Sequence, residues 1–505
     1  MQASSTENPS AAPDGLLDVL VIGAGVSGLG AGMRLLDEGF RHFLILEKAA
    51  SLGGTWRDNR YPGCECDVPS ALYSYSFAPK ADWSRAFAGH AEILDYLEDT
   101  TRRHELEAFI RFGQPVIRAQ WIEAGHHWLV QTPEASYRSR TLISCAGYLH
   151  EPVIPEIPGL ADFPGRVFHS SRWDHDHSLA GERVAVIGTG ASAIQFVPRI
   201  AAQVRSLSIF QRTPQWILPK PNPPLSPRVH ALLRRPLFER IWRRLLYFAF
   251  EGFGIGFRRP ALLRLFQKRA EGHLARRVRD PELRRKLTPD YTLGCKRVLM
   301  SNDYYPALRQ SHVELLATGV AAVDGRQVVG QDGSRAEVDT IILGTGFQVT
   351  EPPIAQRIHD AQGRSLAQHW QARMQAYRGT AIAGFPNAFM VLGPNLGIGH
   401  NSAFVVIEAQ LDYILSALQR MRTQNLSRIE VRGDVQERYN THLQKYLKHT
   451  VWNTGGCSSY YLDRNGFNSV GFPWSTMEMR RLLRRVDLDS YLTQTAPAPA
   501  FQAAA

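Results

Sequence analysis

One pattern occurs twice in this chain, 165 residues apart, and limits the folds open to it. Residues 17–47 run from an apolar strand (LDVLVIG) through a glycine turn and a helix into a second apolar strand, HFLILE. Residues 182–212 repeat that order, from ERVAVIG through a glycine turn and a helix to LSIFQR. A strand, tight turn, helix and second strand open a βαβ dinucleotide-binding unit. The reading is therefore an α/β protein with two Rossmann-like dinucleotide-binding domains. Shorter strands are expected at Trp128 to Gln131, Thr141 to Ser144 and Thr340 to Leu343.

The first turn is GAGVSG, with Gly23, Gly25 and Gly28. The first glycine permits the turn, the second lets backbone approach a pyrophosphate, and the third lets helix and strand pack closely. The helix N-terminus then presents free amides and a positive dipole to the anion. Glu47 ends the second strand, where a carboxylate can hold the hydroxyls of an adenosine ribose. The second turn, GTGASA, supplies Gly188, Thr189, Gly190, Ser192 and Ala193. The 24 positions that separate Gly23 from Glu47 lead from Gly188 to Arg212. A carboxylate there would repel a ribose 2′-phosphate, whereas Arg can clamp it with paired hydrogen bonds. Arg212 is read as that clamp rather than as a solvated surface residue. The two sites are assigned to FAD and NADPH.

Hydride from NADPH then needs an acceptor beyond the flavin. A disulfide reductase would carry a close redox pair such as C-x-x-C. Among Cys64, Cys66, Cys145, Cys295 and Cys457 the only close pair is Cys64 and Cys66, with the wrong spacing. Dioxygen is the natural alternative. The five cysteines are odd in number and scattered, a poor disulfide framework, which points to a reducing, cytoplasmic compartment.

At 505 residues the chain can form two or three domains. The expected division is residues 16–150 and 336–490 for the FAD-binding domain. Residues 151–220 form a linker and the first part of the NADPH-binding domain, and 291–335 its second part. Residues 1–15 and 491–505 read as disordered ends, and the start lacks the pattern of a signal peptide. Residues 221–290 contain 17 Lys and Arg against 6 Asp and Glu, a net +11 that equals the charge of the whole chain. They read as a helical insertion broken by prolines. Arg243, Arg244 and Glu251 within its most apolar run argue against a transmembrane helix. Its charged side is read as a solvated face rather than a membrane-surface or nucleic-acid contact.

Residues 163–174, FPGRVFHSSRWD, stand just before the second cradle. They resemble the fingerprint FxGxxxHxxxW[P/D] of the Baeyer–Villiger monooxygenases, through Phe163, Gly165, His169, Trp173 and Asp174. Residues 53–77, 143–159, 294–305 and 343–347 resemble the same family, so the likeness covers about residues 16–480. It implies that Asp67 and Arg297 are the catalytic pair, and that Asp67 also lies on the cofactor side. It further implies that Gly54, Thr55, Trp56, Tyr73 and the backbone of Val116 line FAD, and that Lys296 joins Arg212 and Thr213 at the NADPH phosphate. His169 and Trp173 would belong to the linker that couples the cofactor to domain closure, with His169 structural rather than a proton shuttle. The implied reaction forms a C4a-peroxyflavin anion that attacks a ketone to give an ester or lactone, with bound NADP+ shielding it from water. Ketone and dioxygen are thus the expected partners, with no nucleic acid. The rival activity is oxygenation of nitrogen or sulfur, which uses a protonated flavin peroxide and lacks the Asp67 and Arg297 pair. The stretch WNTGGCSSYYLDRNGFNSVGFPW resembles the substrate-side segment of one subgroup, but departs from the Trp near Tyr460 and the WPG near Phe472 to Trp474 that are usual there.

Overall fold

The computed structural model describes residues 15–463 and 465–496. Two sheets form its framework, and each is built around the first strand of one repeat. The strand Leu16–Ile22 lies between Phe43–Leu46 and Ser136–Ser144, parallel to both. The strand Arg183–Ile187 lies between Ser206–Phe210 and Thr340–Leu343, again parallel to both. Every residue of Phe43–Leu46 and of Thr340–Leu343 is buried, as expected of a parallel sheet covered on both faces. Burial of each such aliphatic side chain contributes roughly 1.5–3 kcal/mol, so an inward charge at these positions would be strongly opposed.

The first sheet has eight strands. Arg118–Ile122 and His127–Gln131 extend it as an antiparallel flap, and Ala388–Met390 joins beside Ser136–Ser144. The second sheet has five parallel strands and ends with Arg166–His169 against Thr340–Leu343. This corrects the boundary expected at residue 336. The strand Thr340–Leu343 still belongs to the second sheet, and the chain returns to the first only after it. Hydrophobic alternation shows that a strand exists, but not which of two similar sheets receives it.

The helical insertion leaves after Ile217–Leu218 and re-enters at Leu299–Met300, which pairs with it in parallel. Between them lie helices Pro227–Leu233, Pro236–Arg258, Pro260–Arg277 and Pro281–Leu287. Each break falls on a proline because proline opens the next helix, where its missing N–H costs no hydrogen bond. Ser226 and Asp280 cap the first and last of these helices, accepting from Val229 N at 3.4 Å and Glu282 N at 3.1 Å. No helix among the described residues is long and apolar enough to cross a membrane.

The expected disordered C-terminus also needs correction. Tyr491–Thr495 forms a strand antiparallel to Leu426–Val431, and Tyr491 is buried. The Ala- and Pro-rich composition of the last residues masked this short edge. Residues 497–505 and all of the expected N-terminal lead except Gly15 lie outside the described residues.

Candidate functional site

The first cradle is held open by backbone packing. Gly23 has φ +98°, and a Cβ there would lie 2.8 Å from the Cys145 carbonyl oxygen. A Cβ on Gly28 would lie 1.8 Å from the Gly23 oxygen, so this glycine serves helix–strand packing rather than contact with a ligand. Gly25 starts the helix Val26–Asp37 and faces Gly54 across the mouth of a cleft. The cleft measures about 1270 Å3 including space open to solvent, and is lined by Gly23, Gly25, Glu47, Gly54, Thr55, Trp56, Tyr73 and Val116. The expected flavin-side residues therefore converge, apart from Gly28 behind the cradle and Asp67 beyond the lining. Glu47 is buried at one end and accepts from Ala24 N at 2.8 Å, Ala49 N at 2.9 Å and Arg57 Nη1 at 3.1 Å. Trp56 Nε1 donates to the Tyr73 hydroxyl at 3.2 Å. Arg357, which sequence reasoning did not single out, donates to the Val116 carbonyl at 3.0 Å and lines the same cleft.

The second cradle repeats this construction. Gly188 has φ +103°, and its Cβ would lie 2.5 Å from the Gly344 oxygen, just as Gly23 backs onto Cys145. A Cβ on Gly190 would meet nothing within 4 Å. Ala193 begins the helix Ala193–Ile200, and the Ser192 hydroxyl reaches Tyr61. The Thr189 hydroxyl donates to the Thr213 carbonyl at 3.4 Å. Arg212 is exposed and close enough to Lys296 for the two charges to interact. Burial lowers the Lys296 ammonium from its ordinary value, and Arg212 lowers it further. Two repelling cations beside a glycine cradle gain most when a dianion lies between them.

Asp67 and Arg297 are 230 residues apart in sequence, yet they form a two-pronged pair. Arg297 Nε donates to Asp67 Oδ2 at 2.6 Å and Nη2 to Oδ1 at 2.7 Å. Burial opposes the charge on Asp67, but the guanidinium more than offsets it and holds the carboxyl below its ordinary range. Asp67 in turn raises Arg297 above its ordinary value against the cost of burial. About a third of the Arg297 side chain stays open. The charge of Arg297 acts on Tyr73 and Tyr148, which line the cleft, and on Tyr461, which stacks on Tyr460 at 4.5 Å. Lys220 lies behind the pair, with Nζ 2.9 Å from the Cys66 carbonyl and 2.8 Å from Glu65. Neither Tyr148 nor Lys220 had a sequence signal of its own, although Tyr148 falls inside the stretch 143–159.

The cysteines require a third correction. Cys295 and Cys457 are joined by a disulfide, with Cα atoms 6.1 Å apart across 162 residues of sequence. Sequence spacing could not reveal a proximity created by folding. The bridge ties the Lys296–Arg297 segment to the one carrying Tyr460 and Tyr461. Cys64, Cys66 and Cys145 are free and buried, and burial pushes the Cys64 thiol up to about 12. Cys64 and Cys66 therefore do not form an active dithiol, as their spacing suggested.

The fingerprint runs along the edge of the second sheet, with Arg166–His169 as its last strand. Phe163 is buried, and a Cβ on Gly165 would lie 2.0 Å from the Asp339 oxygen. Asp174 accepts from Asp176 N at 3.2 Å in a local turn. Trp173 packs on Phe168 and Phe196, and Phe196 meets Tyr61. The Tyr61 hydroxyl donates to Gln195 at 2.9 Å, and Gln195 Nε2 donates to the Glu65 carbonyl at 2.9 Å. A continuous path thus joins the fingerprint, the second cradle's helix and the loop that carries Asp67. His169 is buried, and its Nδ1 accepts from Ser171 N at 3.1 Å. Burial and nearby Arg172 lower it to about 4, so it is neutral near pH 7 and suited to a structural role.

A protein-family model described as pyridine nucleotide-disulphide oxidoreductase matches residues 20–241. A Baeyer–Villiger monooxygenase of Streptomyces coelicolor is 46% identical over 485 residues, covering 95% of this chain and 93% of its own length. The closed crystal structure of cyclohexanone monooxygenase matches with a TM-score of 0.84 at 28% identity, covering 95% of this chain and 99% of its own. The structure of OTEMO in complex with FAD and NADP matches with a TM-score of 0.84 at 25% identity and the same coverage. Identity of this extent along nearly the whole chain establishes its kinship: it belongs to the Baeyer–Villiger monooxygenase family.

Proposed function

We propose that this protein uses FAD, NADPH and dioxygen to insert one oxygen atom into a ketone, giving an ester or lactone, while the second oxygen leaves as water. The observation that carries this reading is the two-pronged Asp67–Arg297 pair among Tyr73, Tyr148 and Tyr461, beside the first cleft. Bound FAD supplies the redox chemistry, accepting hydride from NADPH and activating dioxygen.

The protein's own residues supply position and charge. Gly23 and Gly25 with the helix Val26–Asp37 receive the pyrophosphate of FAD, and Thr55, Trp56, Tyr73 and Val116 line its cleft. Three of about four acceptor positions on the Glu47 carboxylate are taken, so about one remains for a ribose hydroxyl. Gly188, Thr189, Gly190, Ser192 and Ala193 form the NADPH cradle, and Arg212, Thr213 and Lys296 receive the 2′-phosphate. Attack on a ketone carbon needs an anionic oxygen nucleophile and leaves negative charge on the carbonyl oxygen. Arg297 places a permanent cation where that charge develops, and Asp67 fixes its orientation. An enzyme oxygenating nitrogen or sulfur has no need for this cation. A cytoplasmic location rests on the supply of NADPH inside cells alone, because the Cys295–Cys457 bridge removes the argument from the cysteines.

The test separates cofactor reduction from oxygen insertion. Loss of one preorganised donor to a developing oxyanion costs about 3–4 kcal/mol, and here a full charge is lost as well. Arg297→Ala should retain FAD and oxidise NADPH, but release hydrogen peroxide and make no detectable ester from a panel of cyclic, aryl and linear ketones. Asp67→Ala should show a milder form of the same defect. A normal ester yield per NADPH in Arg297→Ala would refute this reading.

A further inference from the structure

Of the twenty-one large apolar side chains left exposed among the described residues, eleven fall between Val229 and Leu265. Leu237, Ile241, Trp242, Leu245 and Phe248 follow one another at helical spacing along the helix Pro236–Arg258, and Leu265 adds to them from the next helix. Leu245 is 58% exposed and Leu265 is 74% exposed. A patch of this kind on a single chain marks an interaction surface, which is more than the solvated basic face expected from charge alone.

The helix is firmly seated, so this exposure does not come from loose packing. Its other face carries Arg243, Tyr247 and Glu251, one turn apart. Arg243 donates to the Ala71 carbonyl and to Ser74, at 2.7 Å to the Oγ and 3.1 Å to the carbonyl. The Thr476 hydroxyl lies 2.8 Å from the Tyr247 hydroxyl. The Glu251 carboxylate accepts from His400 at 3.1 Å, from Asn401 at 3.0 Å and from Thr476.

Charge selects the partner. Between Val229 and Leu265 the only acidic residues are Glu239 and Glu251. Glu239 faces Arg243 at 3.5 Å and Glu251 is buried, so neither offsets the outward charge. Arg234, Arg235, Arg240, Arg244, Arg259 and Arg264 are all exposed around the apolar stripe. Leucine, tryptophan and phenylalanine flanked by arginine, without acid, is the composition of a helix lying in a bilayer interface. Its arginines can extend to the headgroups while their stems cover apolar surface. A second copy of the chain would bring two strongly cationic faces together, which opposes self-association.

We propose that the helices Pro236–Arg258 and Pro260–Arg277 dock the enzyme on the surface of an anionic lipid bilayer. The apolar stripe enters the headgroup boundary, and the surrounding arginines meet the lipid phosphates. The docking is peripheral, because no helix among the described residues is long and apolar enough to cross a membrane.

Flotation of the FAD-loaded full chain with vesicles tests this. Vesicles of phosphatidylcholine and phosphatidylglycerol at 3:1 should carry the enzyme upward in 0.1 M salt, and pure phosphatidylcholine should carry much less. Raising the salt to 0.5 M should weaken binding, because screening shortens the reach of the charges. W242E/L245E/F248E should lower binding at least tenfold, and R234Q/R235Q/R240Q roughly fivefold per charge removed. Both variants should keep bound FAD and wild-type NADPH oxidation. Failure to float with the anionic vesicles, equal binding to neutral ones, or binding unchanged in both variants would overturn the proposal. So would a dimer in solution that W242E/L245E/F248E converts to monomer, since the face would then join copies of the chain.

Discussion

Arg212 shows how much one side chain can decide. It occupies the place in the second repeat that Glu47 holds in the first, and the structure sets it beside Lys296. The sequence supplied the guanidinium, but only folding brought Lys296 to it from 84 positions away. A hydrogen bond to a charged group contributes roughly 1.5–3 kcal/mol. Arg212→Ala should therefore raise KM for NADPH about ten- to hundredfold and leave KM for NADH nearly unchanged. Steady-state kinetics with the two nucleotides checks this, and equal use of both by the unmodified enzyme would remove the phosphate assignment. Resemblance points to Asp67 and Arg297, whereas the two-pronged geometry, Lys220 beside it and the nearby Cys295–Cys457 bridge are contacts made by folding.

At the scale of the elements, the two glycine turns share their first two positions and differ at the third, which is Gly28 in one and Ala193 in the other. A Cβ on Gly28 would lie 1.8 Å from the Gly23 oxygen, whereas one on Gly190, at the second position of the other turn, would meet nothing within 4 Å. Gly28→Ala should therefore displace the helix Val26–Asp37 and yield protein that is colourless or insoluble. Gly190→Ala should fold, stay yellow and keep its thermal stability, while the new methyl at the cradle raises KM for NADPH. Absorbance of bound FAD and the melting temperature of the two variants measure this contrast. Similar losses of FAD in both would show that a methyl is no worse tolerated at Gly28 than at Gly190. Turn residues and strand periodicity made both cradles legible. They could not show that Thr340–Leu343 joins the second sheet, since a four-residue apolar strand fits the middle of either one.

Across the whole molecule, burial of titratable groups sets the response to acid. His169 is lowered from 6.5 to about 4 by burial and by Arg172, and burial lowers His90, His150 and His273 as well. An unfolded chain binds protons at these sites where the folded one does not, so stability falls as pH drops. For His169 the loss begins near pH 6.5, continues to about pH 4, and amounts to roughly 3 kcal/mol at one pKa unit per 1.4 kcal/mol. Glu251, lowered to about 2 by His400 and Thr476 against the cost of burial, adds a second loss between about pH 4.5 and pH 2. The melting temperature should thus decline steadily below pH 6.5. His169→Asn should flatten the upper part of that decline and Glu251→Gln the lower part, even if each variant starts from a lower stability. A melting temperature that stays constant from pH 7 to pH 5 would contradict this account.

The sequence by itself determined the two βαβ units, their glycine turns, the contrast of Glu47 with Arg212, and the net charge of the insertion. These are local properties, written in periodicity, turn chemistry and residue type within about thirty positions. Only the tertiary structure decided which distant residues meet. It set Asp67 on Arg297, joined Cys295 to Cys457, and ran a packed path from Trp173 through Phe196 and Tyr61. It also turned the apolar side of Pro236–Arg258 outward by seating Arg243, Tyr247 and Glu251 inward. Helical spacing gives a helix its two faces, but which face is covered depends on what the rest of the chain brings against it.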